Sequence, residues 1–156
     1  FVGVGLDEVG QPVHGLLPRH RRKAGPAAIV ECRARGGDGA IDVAVVVRVD
    51  ETFDQVLAFL DTDRRTSTGY TGLGLGIGAD QLVIATSTGA GLYPFAGASQ
   101  TSWSWPTRRS IPAVVAPHAV VLSLAKTDLG TGPVDLVVRV QRGSTVVVSA
   151  KVTFTP

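Results

Sequence analysis

The chain has 156 residues and a formal net charge of +2 at neutral pH, which fits one domain long enough for a two-layer core. It is 44% hydrophobic, with valine-rich runs spaced by 19 glycines, a composition of short strands and turns rather than helices. No apolar run reaches the roughly 18 residues of a membrane span, one cysteine (Cys32) excludes an internal disulfide, and no Cys/His spacing suits zinc.

Residues 1–26 read as an irregular arm or linker. F-V-G-V-G-L is strand-like, but the segment that follows sustains neither a period of 2 nor one of 3.6. Such an arm has few apolar anchors and must lean on the domain or on a neighbouring molecule if it is ordered. Phe1–Leu6 is expected to pair with an edge strand. The chain contains no methionine, even at position 1, which suggests signal-peptide removal or excision from a longer chain, with export favoured. Between Arg19 and Arg35 stand six basic residues and one acid, Glu31. The segment reads either as a solvated loop or as a contact for phosphates or an anionic cell envelope. No aromatics interleave with it, so nucleic acid is not an expected partner.

From residue 27 onward a β-sandwich domain is expected. A-A-I-V-E-C-R predicts a strand, Gly36–Gly39 a turn, and Ile41–Val49 a second strand with Ile41, Val43, Val45, Val47 and Val49 on one face. Asp54–Asp61 is apolar on both faces, as a central strand should be. Gln81–Ser87 follows, then weaker candidates at Leu92–Phe95 and Ser102–Trp105. Ala119–Leu124 and Val134–Gln141 are joined by a turn-like K-T-D-L-G-T-G-P. Arg142-Gly143-Ser144 makes a hairpin into Thr145–Thr155, where Val146, Val148, Ala150, Val152 and Phe154 are expected to share a face. The fold class expected is all-β: a jelly-roll-type antiparallel sandwich of about eight or nine strands.

Asp61 and Asp63, two apart at a predicted strand end, are followed by Thr66, Ser67 and Thr68, and later by Asp80. Clustered carboxylates and hydroxyls suit a hard cation such as calcium, with Asp80 and also Asp54 as candidates to complete the shell. The alternative is that Asp63 organises the turn through its own backbone. G-L-G-L-G-I-G lacks a P-loop lysine and precedes a strand, so no nucleotide is expected. There Leu73, Leu75 and Ile77 should face the core. The glycines should leave room for a large side chain or a second backbone. Tyr93, Phe95, Trp103 and Trp105 form an aromatic group, and in S-W-S-W-P the two indoles would share a strand face. Paired coplanar indoles suit stacking on sugar rings, while burial as core aromatics is the competing reading. His14, His20 and His118 stand near no nucleophile elbow, and Asp61 and Asp63 would share a metal more naturally than flank a glycosidic bond, so no enzyme activity is expected.

V-L-A-F-L-D-T-D-R-R-T-S-T-G-Y, followed by G-A-D-Q-L-V-I and L-Y-P-F…W-S-W, resembles the DOMON-like and family 9 carbohydrate-binding superfamily. The specific part of the resemblance runs from about Asp54 to Trp105, and Gln81 stands where an aromatic is common. It implies an extracellular or cell-surface accessory domain that binds polysaccharide or cell-envelope glycan, and the residues expected to contact such a ligand are Tyr70, Tyr93, Trp103 and Trp105. The candidate calcium ligands remain Asp61, Asp63 and Asp80, on the spacing argument above. Some branches bind haem, which is not expected in a chain without methionine. The alternative expectation is a structural subunit of a surface layer or fibre, whose arm completes a sheet in another copy of the chain.

Overall fold

The computed structural model describes Ala28–Arg35 and residues 42–156. The arm of residues 1–26 and the turn at Gly36–Gly39 lie outside the described residues. Along the chain come β1 (Ala28–Arg35), β2 (Asp42–Val49), β3 (Gln55–Asp61), β4 (Gln81–Thr86), β5 (Gly89–Pro94), β6 (Arg109–Ile111), β7 (Ala113–Ala116) and β8 (Ala119–Ala125). One helical turn at Lys126–Leu129 leads into β9 (Val134–Arg142), β10 (Thr145–Val148) and β11 (Val152–Phe154). Among the described residues no helix is long and apolar enough to cross a membrane.

These strands form an antiparallel β-sandwich. A four-stranded sheet runs β1-β2-β8-β7, and a seven-stranded sheet runs β10-β9-β3-β4-β5-β6, with β11 also paired to β9. The period-2 valines explain the inner faces. Val43, Val45 and Val47 of β2 and Val120, Leu122 and Leu124 of β8 meet Val56, Ala58 and Leu60 of β3 and Leu136 and Val138 of β9. Each fully buried aliphatic side chain contributes roughly 1.5–3 kcal/mol of transfer free energy. β3 lies between β9 and β4 and is buried on both faces, as its unbroken V-L-A-F-L run requires.

Two short strands, β6 and β7, have no counterpart in the sequence expectation, and Ser102–Trp105 forms no strand. Pro112 separates β6 in the large sheet from β7 in the small one. A residue without an N–H suits the point where the chain leaves one ladder for another. Its carbonyl accepts the Ser123 N–H at 2.9 Å.

The final hairpin departs from simple alternation. Val148 pairs with Arg139 but Val152 pairs with Leu136, so the returning strand carries one extra residue there. Ser149 bridges this bulge: its N–H donates to the Val138 carbonyl at 2.8 Å, and its Oγ accepts the Val138 N–H at 3.0 Å. A bulge reverses which residues face inward. Val147 therefore turns inward, where it lines a small cavity with Val49 and Val140, and Phe154 packs against the core. Val146 and Val148, expected on the same face as Val152 and Phe154, are instead exposed. Ser149→Ala leaves the Val138 N–H without its acceptor and should cost about 1–3 kcal/mol. Denaturant unfolding would show a lower midpoint at unchanged slope.

Candidate functional site

β3 and β4 are sheet neighbours, yet the chain between them does not turn tightly. It folds over the outer face of the large sheet, where Tyr70, Leu75, Ile77 and Ala79 cover Phe59 and Leu82 in a second small core. Tyr70 and Ala79 exchange backbone hydrogen bonds at 2.8 and 2.9 Å and close the loop's neck. Two glycines permit this. A Cβ on Gly78 would lie 2.0 Å from the Thr68 carbonyl oxygen, and Gly69 has φ +68° with the Ala79 carbonyl 2.6 Å from where its Cβ would be. A second backbone thus occupies the space left by the missing side chains. Leu75 and Ile77 are buried as expected, but Leu73 is 49% exposed, because the segment is a series of turns rather than a strand.

The loop gathers the three carboxylates. Asp61, at the end of β3, is only 1% exposed. Its Oδ1 accepts the Arg65 N–H at 3.3 Å and its Oδ2 the Gly78 N–H at 3.1 Å. Asp63 accepts the same Arg65 N–H at 2.9 Å and the Thr68 hydroxyl at 2.7 Å. Asp80 Oδ2 accepts both the N–H and the hydroxyl of Thr62 at 2.9 Å. One oxygen from each of Asp61, Asp63 and Asp80 lies within 4.8 Å of the others, so the three can share one metal ion. The donor set fits a hard cation, since every ligand atom is a carboxylate oxygen and an oxygen accepting one N–H keeps a second lone pair. Asp63 also performs the turn role, through Arg65 and Thr68. Asp54 does not join them: it flanks the opposite end of β3 and accepts the Gly143 N–H at 2.6 Å.

Crowding separates the acidities. Burial, the hydrogen bond with Asp63 and the charge of Asp80 push the Asp61 carboxyl above the ordinary value of 3.8, against the amide of Gly78. Burial also works against ionisation of Asp63, but the Thr68 hydroxyl and the Arg65 amide outweigh it and hold its carboxyl below 3.8. Asp135, opposite Asp61 across the β3–β9 ladder, is likewise held down. There the Thr153 hydroxyl, Arg64 and Lys151 overcome burial.

These directions give a pH dependence with a definite sign. Asp61, raised, stabilises the fold below 3.8, and that contribution is lost as pH rises through its folded pKa. Asp63 and Asp135, lowered, stabilise above 3.8, and theirs is lost as pH falls through their folded values. Asp135→Asn should lower stability at neutral pH and flatten the acid limb below 3.8, read from unfolding midpoints over a pH series. An unchanged acid limb would remove Asp135 from the account.

The aromatic group assembles beside this loop. Phe95 stacks edge-on to Trp105 at 5.2 Å, Tyr70 meets Trp103 at 5.4 Å and Trp105 at 5.8 Å, and Phe59 lies beneath both indoles at 6.1 and 6.4 Å. Trp103 and Trp105 are 5.8 Å apart at 70°, a T-shaped pair rather than the coplanar one expected. Tyr70 is 5% exposed, so it supports the indoles from below and offers a ligand no surface. Trp103 is 53% exposed. With Ile84, Tyr93, Ser104, Trp105 and Pro106 it lines an open trough of about 450 Å³. The buried Trp105 Nε1–H has no protein acceptor among the described residues.

Gln100 ties the two halves together, and nothing in the sequence marked it. Its Nε2 donates to the carbonyls of Thr66 at 2.8 Å and Thr68 at 3.2 Å, while its own carbonyl accepts the Thr71 N–H at 2.8 Å. The carboxylate loop and the tryptophan segment are therefore held as one unit. No family model, curated protein or solved structure matches the chain.

Proposed function

We propose that the chain is a non-catalytic, extracellular glycan-binding module that stacks a sugar chain on Trp103 and Tyr93, beside a cation-supported loop. The half-exposed Trp103 carries this reading, held edge-on by buried Tyr70 and Phe59 at the rim of an open trough. A braced, exposed indole offers a rigid apolar face at little entropic cost, which suits the C–H face of a sugar ring. The Asp61–Asp63–Asp80 group fits calcium as a brace. Asp61 and Asp63 share the Arg65 amide and so form one site, which favours binding an ion over flanking a glycosidic bond.

Titration against a panel of neutral and acidic polysaccharides tests the module directly, and failure to bind any of them ends the reading. The cation is tested separately by thermal unfolding. Calcium at about 100 times its dissociation constant should add about 2.7 kcal/mol of stability. Asp80→Asn should abolish that shift. An unchanged midpoint in saturating calcium leaves the three carboxylates with turn chemistry alone.

A further inference from the structure

Ile84 of the trough wall belongs to a cross-strand row on the outer face of the large sheet, and two cations stand on either side of it. Ile84, in the trough wall, is the cross-strand neighbour of Leu57, and Leu57 is the neighbour of Arg139 on β9. At about 4.8 Å per strand, the Arg139 backbone lies roughly 10 Å from that of Ile84, within reach of a short stretch of sugar chain. On the other side, Arg108 lies across Gly91, the partner of Ile84 on β5. Arg108 donates to the Ser110 hydroxyl at 2.8 Å and to the Ala90 carbonyl at 3.5 Å.

Neither guanidinium has an ion-pair partner among the described residues. In contrast, Arg64 pairs with Asp135, Arg109 with Asp128 and Arg142 with Glu51. Arg139 is half-buried, and its buried Nε–H has no acceptor among the described residues. Only the Nε is both buried and unpaired, so the terminal amino groups are what a ligand oxyanion would meet, in a charge-assisted pair. The nearest carboxylate along β9, Asp135, is already engaged by Arg64 and Lys151.

We infer that the glycan taken by this trough is a uronic-acid polysaccharide: one ring stacks on Trp103, and the carboxylate of a nearby residue pairs with Arg139. The inference rests on the glycan-binding reading above. A nucleic-acid strand carries a phosphate on every residue and calls for a continuous basic track. Here one exposed indole and two cations, set apart by Ile84 and Leu57, make no such track, and they suit one stacked sugar ring with one neighbouring carboxylate paired.

Short oligogalacturonides and their methyl esters share a backbone and differ only in charge. Calorimetric titration of the full chain with each, and with a single-stranded oligonucleotide, is expected to favour the free acid by roughly tenfold or more, with the preference shrinking as salt rises. Arg139→Gln should bind acid and ester alike, with ester affinity unchanged, and Arg139→Lys should recover part of the preference. Equal binding of acid and ester by the wild type overturns the inference and leaves the glycan reading standing, as does a preference that survives Arg139→Gln. Tighter binding of the oligonucleotide overturns it as well. Binding of neither saccharide, together with failure across the neutral panel, removes the glycan reading itself. The wild-type comparison decides the matter even if Arg139→Gln does not fold.

Discussion

Phe59→Ala is expected to destabilise the fold by about 3–5 kcal/mol, the largest stability effect among the changes considered. Phe59 is fully buried on the outer face of the central strand β3. Its ring stacks with Tyr70 at 6.3 Å and 21°, and both indoles rest against it. Removing it opens a cavity that the loop cannot close, because the loop is pinned at its neck by the Tyr70–Ala79 bridge and by Gln100. At about 2–4 °C per kcal/mol for a domain of this size, the thermal midpoint should fall by roughly 6–20 °C. The near-ultraviolet circular dichroism of the tryptophans should weaken in the same variant. A loss below about 1 kcal/mol would mean that the outer core repacks freely and does not brace the trough.

Trp103→Ala should have the opposite profile, with a small effect on stability and a large one on binding. The indole is 53% exposed, so its removal uncovers Tyr70 without leaving an enclosed void. If the ring is the main stacking surface, its loss should weaken glycan affinity by about 2 kcal/mol or more, roughly thirtyfold. Trp103→Phe keeps a smaller apolar face and should retain part of the affinity. Trp105→Ala should differ from both, since that ring packs between Phe59, Tyr70 and Phe95 and its loss should destabilise the fold as well. Full affinity in a folded Trp103→Ala variant would place the ligand elsewhere.

The two experiments also separate the face from its support. β3 carries Phe59 in its apolar run and ends in Asp61, and the loop that follows returns Tyr70 over that same Phe59. Binding and stability should therefore part company only at side chains that face water. Trp103 does, while Tyr70, which the sequence alone would also place against a ligand, does not.

The sequence by itself determined the strands whose side chains alternate or run apolar on both faces. Val43, Val45, Val47 and Val49 point inward because burial selects every second residue of a pleated strand, and β3 is central because only a doubly covered strand tolerates V-L-A-F-L. It also singled out Asp61 and Asp63 at a strand end, with Asp80 and Asp54 as candidates to join them, and the folded loop brings Asp80 to the pair but not Asp54. Long-range pairing decided the rest. The bulge at Ser149 arises from register against β9, and the strands β6 and β7 exist only because β5 and β8 offer them ladders. Trp103 stands proud, and Trp105 lies half-sunk at 70° to it, because Phe59, Phe95 and Tyr70 arrive beneath them from three different segments. Gln100 and Arg139 carry no local signal at all. Gln100 acts through the carbonyls it meets, and the Arg139 Nε–H finds no acceptor among the described residues; both facts depend on residues distant in the chain.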